Sequence, residues 1–259
     1  GGEIRVGRVG LDVNFDASEG ETWTGEIVVE NFDQPGIEIA RLALDGSGVI
    51  SGAGETLDIE AGFDIDANGL ALDDGGLEAA LGEDLTGRVE LGYEAGDPIV
   101  MSVLRLTGVG FTLNGQGEVD PDGENVPLSL QAQLDADDLS VFSALSGLQL
   151  GGGASVDLDL SAEALSGAFD LTLDGRTQDL SLGIDQVDPL LTGSTLLQLE
   201  AHRDETGLRV SDLSLQNEAI DVDGSADLTS DGGTAELEAR IDDLNRIDPS
   251  LSGPATLTA

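Results

Sequence analysis

The sequence contains no cysteine and no lysine, and aromatic residues make up only 3% of its 259 residues. Without cysteine, a disulfide framework, a thiolate zinc site and a cysteine nucleophile are all excluded. The few aromatic side chains disfavour a platform on which bases or sugars could stack. No run of residues approaches the roughly 18–20 apolar positions that a membrane-spanning helix needs. What remains is a chain rich in Leu, Val, Ile and Ala, with 37 glycines.

Positive charge is also scarce. Ten basic residues, all of them arginine, stand against 52 acidic residues, and the formal net charge is −42. This balance excludes a nucleic-acid-binding protein, because such binding needs cationic contacts to phosphates. It also excludes attraction of the whole surface to anionic lipid headgroups. The acidity favours solubility or a salty habitat, where screening reduces the self-repulsion.

One stretch resembles a calcium-binding loop. Asp64, Asp66, Asn68 and Gly69 match the opening of an EF-hand, but its twelfth position is Gly75 where a bidentate glutamate is needed. We predict instead an Asx-rich hairpin tip. Weak surface binding of divalent cations remains compatible with so many carboxylates.

Catalytic motifs are missing. The only histidine, His202, lies in EAHRDETG, and we expect it to be a solvated loop residue. No GxSxG, P-loop or GxGxxG element is present. Carboxylate pairs are so common that none of them indicates glycoside hydrolysis. We therefore expect a non-enzymatic protein with no cofactor and no metal site.

Apolar and polar residues alternate along most of the chain, which predicts β-strands. The clearest runs are residues 4–9, 89–93, 128–134, 156–160, 169–173, 180–184, 213–215, 220–222 and 237–241. Asx-Gly pairs predict tight hairpin turns between strands, at Asp45-Gly46, Asn68-Gly69, Asn114-Gly115, Asp122-Gly123, Asp174-Gly175, Asp223-Gly224 and Asp231-Gly232. The predicted fold is all-β, elongated, repetitive and mostly antiparallel.

The only helical pattern lies at three joints between groups of strands. In DLSVFSALSG, Asp138 is placed to cap a helix and Gly147 to end it. IDQVDPLLTG and DLNRIDPSLSG occupy matching joints, where Pro189 and Pro249 limit any helix to about one turn. These joints predict short helical turns, not long helices.

The joints also mark an internal repeat. LTGRVELGYEA and LTGSTLLQLEA begin two stretches of similar length, each with a DG pair before its last strand. The predicted units are residues 85–144, 145–190 and 191–250, and residues 251–259 begin a further one. Residues 1–84 are β-rich without a clear alignment to the unit. Because the sequence starts with Gly1-Gly2 and stops inside a repeat, we expect one continuous fragment, 1–259, of a longer protein.

The alternation leaves open what covers the apolar side of the strands. A sandwich or solenoid would fill it with the protein's own side chains. A sheet curled into an open groove would instead offer an aliphatic wall, where each buried CH₂ of a ligand is worth about 0.8 kcal/mol. The pattern itself does not decide between the two.

The rhythm of an aspartate, a short helical turn, a Leu-[Ser/Thr]-Gly step and a new aliphatic strand resembles the TamB/AsmA-like family of diderm bacteria, particularly its alphaproteobacterial members. Three segments show this rhythm: DDLSVFSALSGLQLGGGASVDLDL, IDQVDPLLTGSTLLQLEA and DDLNRIDPSLSGPATLTA. The resemblance extends over residues 85–259. The resemblance implies a periplasmic β-groove, or β-taco, that carries phospholipid between the inner and outer membranes. It also implies an inner-membrane anchor and an Omp85-type outer-membrane barrel as partners, both through regions absent from this sequence, and a role in outer-membrane biogenesis.

By the same resemblance, the aliphatic side chains of the strands line the lipid path. The implied lining residues are Val89, Leu91, Tyr93, Leu128, Leu130, Val156, Leu158, Leu160, Phe169, Leu171, Leu173, Leu180, Leu182, Ile184, Leu197, Leu199, Leu213, Leu215, Ile220, Val222, Leu237 and Ile241. Two alternatives stay open at this point. One is an assembly chaperone that pairs sheet edges with incoming barrel strands, and the other is a closed β-solenoid serving as a spacer or adhesin stalk.

Overall fold

The computed structural model describes residues 4–17 and 21–259, and it confirms the all-β prediction. The chain forms fifteen strands, and within each of its two units the spatial order of the strands is their order along the chain. Their bounds are β1 Arg5–Asp16, β2 Thr22–Gln34, β3 Ile37–Ser51, β4 Asp58–Leu72, β5 Asp84–Glu94, β6 Ile99–Gly108, β7 Phe111–Val119, β8 Pro127–Ala136, β9 Gly151–Glu163, β10 Phe169–Ser181, β11 Ser194–Asp204, β12 Gly207–Gln216, β13 Ile220–Thr229, β14 Gly232–Ile241 and β15 Ala255–Thr258.

The chain divides into two compact units. The first comprises Gly1–Asp122 with Val141–Gly147 and contains β1 to β7, and the second comprises Gly123–Ser140 with Leu148–Ala259 and contains β8 to β15. Within each unit, consecutive strands pair antiparallel, some through tight turns and others through longer connections that contain helical segments. Such a meander needs only local pairings, which is why simple alternation in the sequence is enough to indicate it.

Helical segments are short and follow β4, β8, β10 and β14. They are the α-helices α1 (Gly75–Leu81) and α2 (Ser143–Ser146) and the 3₁₀ turns at Leu139–Phe142, Asp188–Leu190 and Leu244–Arg246, with a further 3₁₀ turn at Gly54–Thr56. The joint predictions are confirmed. The backbone N–H of Ser140 donates to Asp138, and Gly147 ends α2 with a left-handed φ of 71°. Helix α1 was not predicted, so the joints do not hold the only helical pattern.

Five of the seven predicted Asx-Gly turns are wrong. Only Asp122-Gly123 and Asp231-Gly232 lie at turns, and the other pairs lie inside β3, β4, β7, β10 and β13. In an alternating strand, the Asx side chain points to the polar face and the glycine to the apolar face. Gly46 shows why a glycine is needed there, since a Cβ would lie 2.8 Å from the Phe63 ring and 2.9 Å from Trp23.

The predicted strand over residues 180–184 is also wrong beyond its first two residues. Strand β10 ends at Ser181, after its register with β9 has shifted between Gln178 and Ser181. Asp179, with φ of 51°, lies at this irregularity. Leu182 and Ile184 lie in the connection that leads to the 3₁₀ turn at Asp188–Leu190.

Full burial is rare. Among the described residues, the buried apolar side chains are Ala43, Ala67, Leu70, Ala80, Phe111, Ala136, Leu190, Leu191 and Ala219. The accessible surface is 15255 Å². Two separate compact domains of half the mass each would expose only about 12,900 Å² together. The two units together therefore expose more surface than two compact domains of the same mass would. No helix in the described ranges is long and apolar enough to cross a membrane.

Candidate functional site

The candidate site in the second unit is the apolar face of its sheet, the side to which the aliphatic residues of β8 to β14 point. Cross-strand pairing brings these residues into rows perpendicular to the strands. One row, with one residue from each strand, consists of Ala132, Leu158, Leu173, Leu199, Leu213, Gly224 and Leu237. Most of its members are only half-buried, and Leu237 is exposed. The rows form a predominantly aliphatic surface.

The opposite face of the same strands, here called the polar face, is acidic. Gln198 donates to Asp174 at 2.8 Å, and Gln131 donates to Asp159 at 2.9 Å. These amide–carboxylate pairs link neighbouring strands and remain exposed to solvent. Each strand therefore separates an aliphatic surface from a charged one.

Burial on the apolar face falls along the strands. At the end nearest the 3₁₀ turn at Asp188–Leu190, Thr195 is 1% exposed and Thr177 is 7% exposed. Leu197 and Leu199, further along β11, are half-buried, and Leu228 near the opposite end is 46% exposed. The apolar face thus has a closed side, near which Leu190 and Leu191 are also buried, and an open side.

Hydrogen bonds hold the closed side together. The Asn217 amide donates to the Leu190 carbonyl at 2.8 Å and to Thr195 Oγ1 at 2.9 Å, and its oxygen accepts from the backbone N–H of Ala219 and Ile220. All the hydrogen-bonding capacity of this amide is therefore used between the 3₁₀ turn, β11 and the β12–β13 connection.

Asp179 fixes the connection that enters β11. Its carboxylate accepts a hydrogen bond from the Gly193 backbone N–H at 2.8 Å, and this bond lowers the pKa of the carboxyl group. The backbone N–H of Asp179 in turn donates to the Gly193 carbonyl at 2.8 Å.

The first unit has a comparable apolar face. One row across all of its strands is Leu11, Ile27, Leu44, Ile65, Gly87, Leu106 and Leu113. Trp23 and Phe63, with ring centroids 5.6 Å apart, lie over Gly46, and Trp23 also lies over Gly48. Its closed side is packed by α1 and by Phe111, whose ring lies 5.9 Å from that of Phe142.

The polar face of the first unit carries four carboxylates in one cross-strand row. Asp12, Glu26, Asp45 and Asp64 pair in register from β1 to β4. The row continues to Arg88, which binds both oxygens of Asp64 at 2.9 Å and contacts Glu90 at 2.8 Å. These two carboxylates raise the Arg88 pKa. The concavity of about 460 Å³ beside Arg88 is therefore lined by a guanidinium whose charge is already paired with two carboxylates.

The EF-hand-like residues do not form the predicted hairpin tip. Asp64, Asp66 and Asn68 lie within β4, which pairs on both sides with β3 and β5. A strand cannot wrap oxygen ligands around an ion as a loop does. Within the described ranges, no group of three or more acidic or histidine side chains is arranged to hold a metal ion.

His202 lies in β11 and not in a loop, but it is solvated as predicted. Its Nδ1 is 2.7 Å from Asp170 on β10, and its Nε2 is 3.6 Å from Asp204. The hydrogen bond to Asp170 is the main cause that raises the pKa of this imidazole. The histidine is on the polar face and has no contact with the aliphatic rows.

Nineteen of the implied lining residues lie in strands at positions of the apolar face, in one unit or the other. The exceptions are Leu180, which follows the irregularity at Asp179, and Leu182 and Ile184 outside β10. The predicted set contains no residue of 1–84, although Trp23, Leu44 and Phe63 also lie on the apolar face. The signal in β3 is the alternation of apolar residues with Gly46 and Gly48, a pattern that also predicts a turn at Asp45-Gly46.

Comparison with known proteins gives no relative. No protein-family model, no curated protein and no solved structure matches this chain.

Proposed function

We propose that this protein is a non-enzymatic segment that shields the acyl chains of phospholipids on its apolar face during transport between the two membranes of a diderm cell envelope. One observation carries the proposal. The aliphatic rows of β8 to β14 are only half-buried, although a filled core would bury such leucines almost completely. The resemblance to TamB/AsmA-like proteins supplies the lipid, the periplasm and the role in outer-membrane biogenesis.

The energetics support a carrier. An acyl chain that buries about ten methylenes against the aliphatic rows gains about 8 kcal/mol before the costs of ordering are subtracted. Because neighbouring strands contribute similar side chains to each row, the gain changes little as the acyl chain moves from one strand to the next. A uniform wall therefore favours sliding over trapping at one position.

The polar face supports the same function. A formal net charge of −42 keeps the body soluble and repels it from anionic bilayer surfaces. Contact with lipid is then confined to the apolar face. By the resemblance, the inner membrane and an Omp85-type barrel are the donor and acceptor partners, and we assign no residue of this chain to either.

The test is site-specific photo-crosslinking in cells of a diderm host. A photoreactive amino acid at Leu173 on the apolar face is compared with one at Thr172, its neighbour on the polar face of the same strand. We expect phospholipid adducts, identified by mass spectrometry, at Leu173 and none at Thr172.

Two results would contradict the proposal. Equal labelling at both positions would mean that lipid does not distinguish the faces. Adducts with unfolded barrel polypeptides in place of lipid, formed from strand edges, would support an assembly chaperone instead.

A further inference from the structure

The structure describes every residue of the second unit. Among the arginines in its strands, only Arg203 lies on the apolar face. It lies on β11 opposite Phe169 of β10 and Leu208 of β12. The other strand arginines of this unit, Arg176, Arg209 and Arg240, belong to the polar face. An arginine among apolar neighbours in so acidic a chain needs an explanation.

The guanidinium of Arg203 is exposed and has no ion-pair partner among the described residues. The adjacent residue, Asp204, lies on the polar face, and its carboxylate already accepts hydrogen bonds from other groups. It accepts hydrogen bonds from the Thr206 hydroxyl at 2.6 Å, the Thr206 N–H at 2.7 Å and the Gly207 N–H at 3.3 Å. These bonds, the Thr206 hydroxyl first, lower the pKa of Asp204 to about 2.

Arg203 also lies at the open side of the apolar face. Thr195, at the closed end of β11, precedes it by eight residues, and exposure rises between them. At about 3.3 Å per residue the two are roughly 26 Å apart. The acyl chains of one leaflet span about 15 Å, half of the bilayer core. A tail lying along β11 therefore fits between the closed side and Arg203.

We propose that Arg203 binds the phosphate group of the lipid whose acyl chains lie on the apolar face. This inference rests on the function proposed above and specifies its ligand as a phosphate-bearing lipid, oriented with its headgroup at the open side. A guanidinium binds phosphate through two parallel N–H···O hydrogen bonds. Arg209 and Arg240 of the polar face form ion pairs with carboxylates, and Arg176 also lies on that face, so Arg203 is the strand arginine that the apolar surface offers to a phosphate.

The experiment uses two lipids with the same diazirine-labelled acyl chain, phosphatidic acid and diacylglycerol, which differ only by the phosphate. Crosslinking of each in neutral detergent micelles is measured for the wild-type chain, for Arg203→Gln, for Arg203→Lys and for Arg176→Gln. Arg176→Gln is the matched control, because Arg176 is also exposed but lies on the polar face.

We expect the wild-type chain to label more strongly with phosphatidic acid than with diacylglycerol, by about threefold to fivefold. Arg203→Gln removes this preference, Arg203→Lys keeps part of it, and Arg176→Gln leaves it unchanged. Circular dichroism of each variant confirms that the fold is retained.

The outcomes separate the two proposals. If both lipids label the wild-type chain and Arg203→Gln equally, the phosphate assignment is wrong while the acyl-chain function stands. If neither lipid labels the wild-type chain, the acyl-chain function itself is wrong. Loss of preference in Arg176→Gln as well would mean a general charge effect and would also overturn the assignment.

Discussion

Asn217 donates its side-chain amide to the hydroxyl of Thr195 at 2.9 Å, and this bond joins the β12–β13 connection to the most buried position of β11. The same amide holds the Leu190 carbonyl of the preceding 3₁₀ turn. The closed side of the apolar face is therefore stabilised by the Asn217 side chain, together with the hydrogen bond between Asp179 and Gly193.

Asn217→Leu is expected to destabilise the second unit by about 3 kcal/mol, because several partly buried donors and acceptors lose their partner. The matched control is Asn245→Leu in the 3₁₀ turn at Leu244–Arg246. The Asn245 amide is exposed and makes only long contacts of 3.3 and 3.4 Å. Urea unfolding measures both variants, and an equal loss in the two would contradict this role of Asn217.

Gly48→Ala is expected to lower the free energy of unfolding by about 3 kcal/mol. The added Cβ would collide with the backbone carbonyl oxygen of Glu60, which cannot rotate away. Gly92→Ala, on β5, meets nothing within 4 Å and is expected to stabilise by about 0.5 kcal/mol. Thermal unfolding of the two variants should therefore shift in opposite directions. A similar shift in both would show that β-strand propensity, and not close approach, decides these positions.

Asp45→Asn is expected to stabilise the first unit in low salt by about 0.5 kcal/mol, because Asp45 lies directly between Glu26 and Asp64. In 1 M NaCl, where the screening length is about 3 Å, the gain should largely vanish. Melting curves at the two salt concentrations provide the measurement. A gain that persists at high salt would have to come from packing.

His202 is expected to titrate above its ordinary pKa of 6.5, because its imidazolium donates to Asp170. The stabilisation from this pair is fully present below pH about 6.5 and is lost as the pH rises through the higher folded-state pKa. NMR titration of the ring protons measures the value. Asp170→Asn should lower the pKa, whereas an unchanged pKa would show that Asp204 alone sets it.

Leu171→Asp is expected to leave the second unit folded and to abolish acyl-chain crosslinking, because Leu171 is only half-buried on the apolar face. Leu191→Asp, at a position 2% exposed, is expected to unfold the unit, since a carboxylate would be buried without a partner. Circular dichroism and lipid crosslinking are measured on both. If Leu171→Asp unfolds the unit as completely as Leu191→Asp, the face is a filled core.

The alternation of residues was sufficient to predict the strands. At Val156, Leu158 and Leu160 it fixes which side chains share a face, because neighbouring side chains of a strand point to opposite sides. The sequence also predicted that Asp138 caps the helical segment and that Gly147 ends it, because both act through local backbone hydrogen bonds.

The glycines could not be interpreted from local pattern. Asp174-Gly175 has the composition of a hairpin turn, yet it lies within β10 with Val156 and Leu197 beside the glycine. A glycine either forms a turn or leaves space for the side chains of neighbouring strands. Which of the two applies depends on residues that are distant along the chain. For the same reason, the sequence did not predict that Trp23 and Phe63 lie over Gly46.

The sequence by itself determined an acidic all-β chain with one aliphatic and one charged side to each strand, because period-two alternation and charge are local properties. The tertiary structure decided which end of the aliphatic face is closed. That depends on Asn217, whose side chain reaches the Leu190 carbonyl and the Thr195 hydroxyl across 27 and 22 residues of chain. It also decided that Arg203 stands alone at the open side, since the register between β10, β11 and β12 assigns its neighbours.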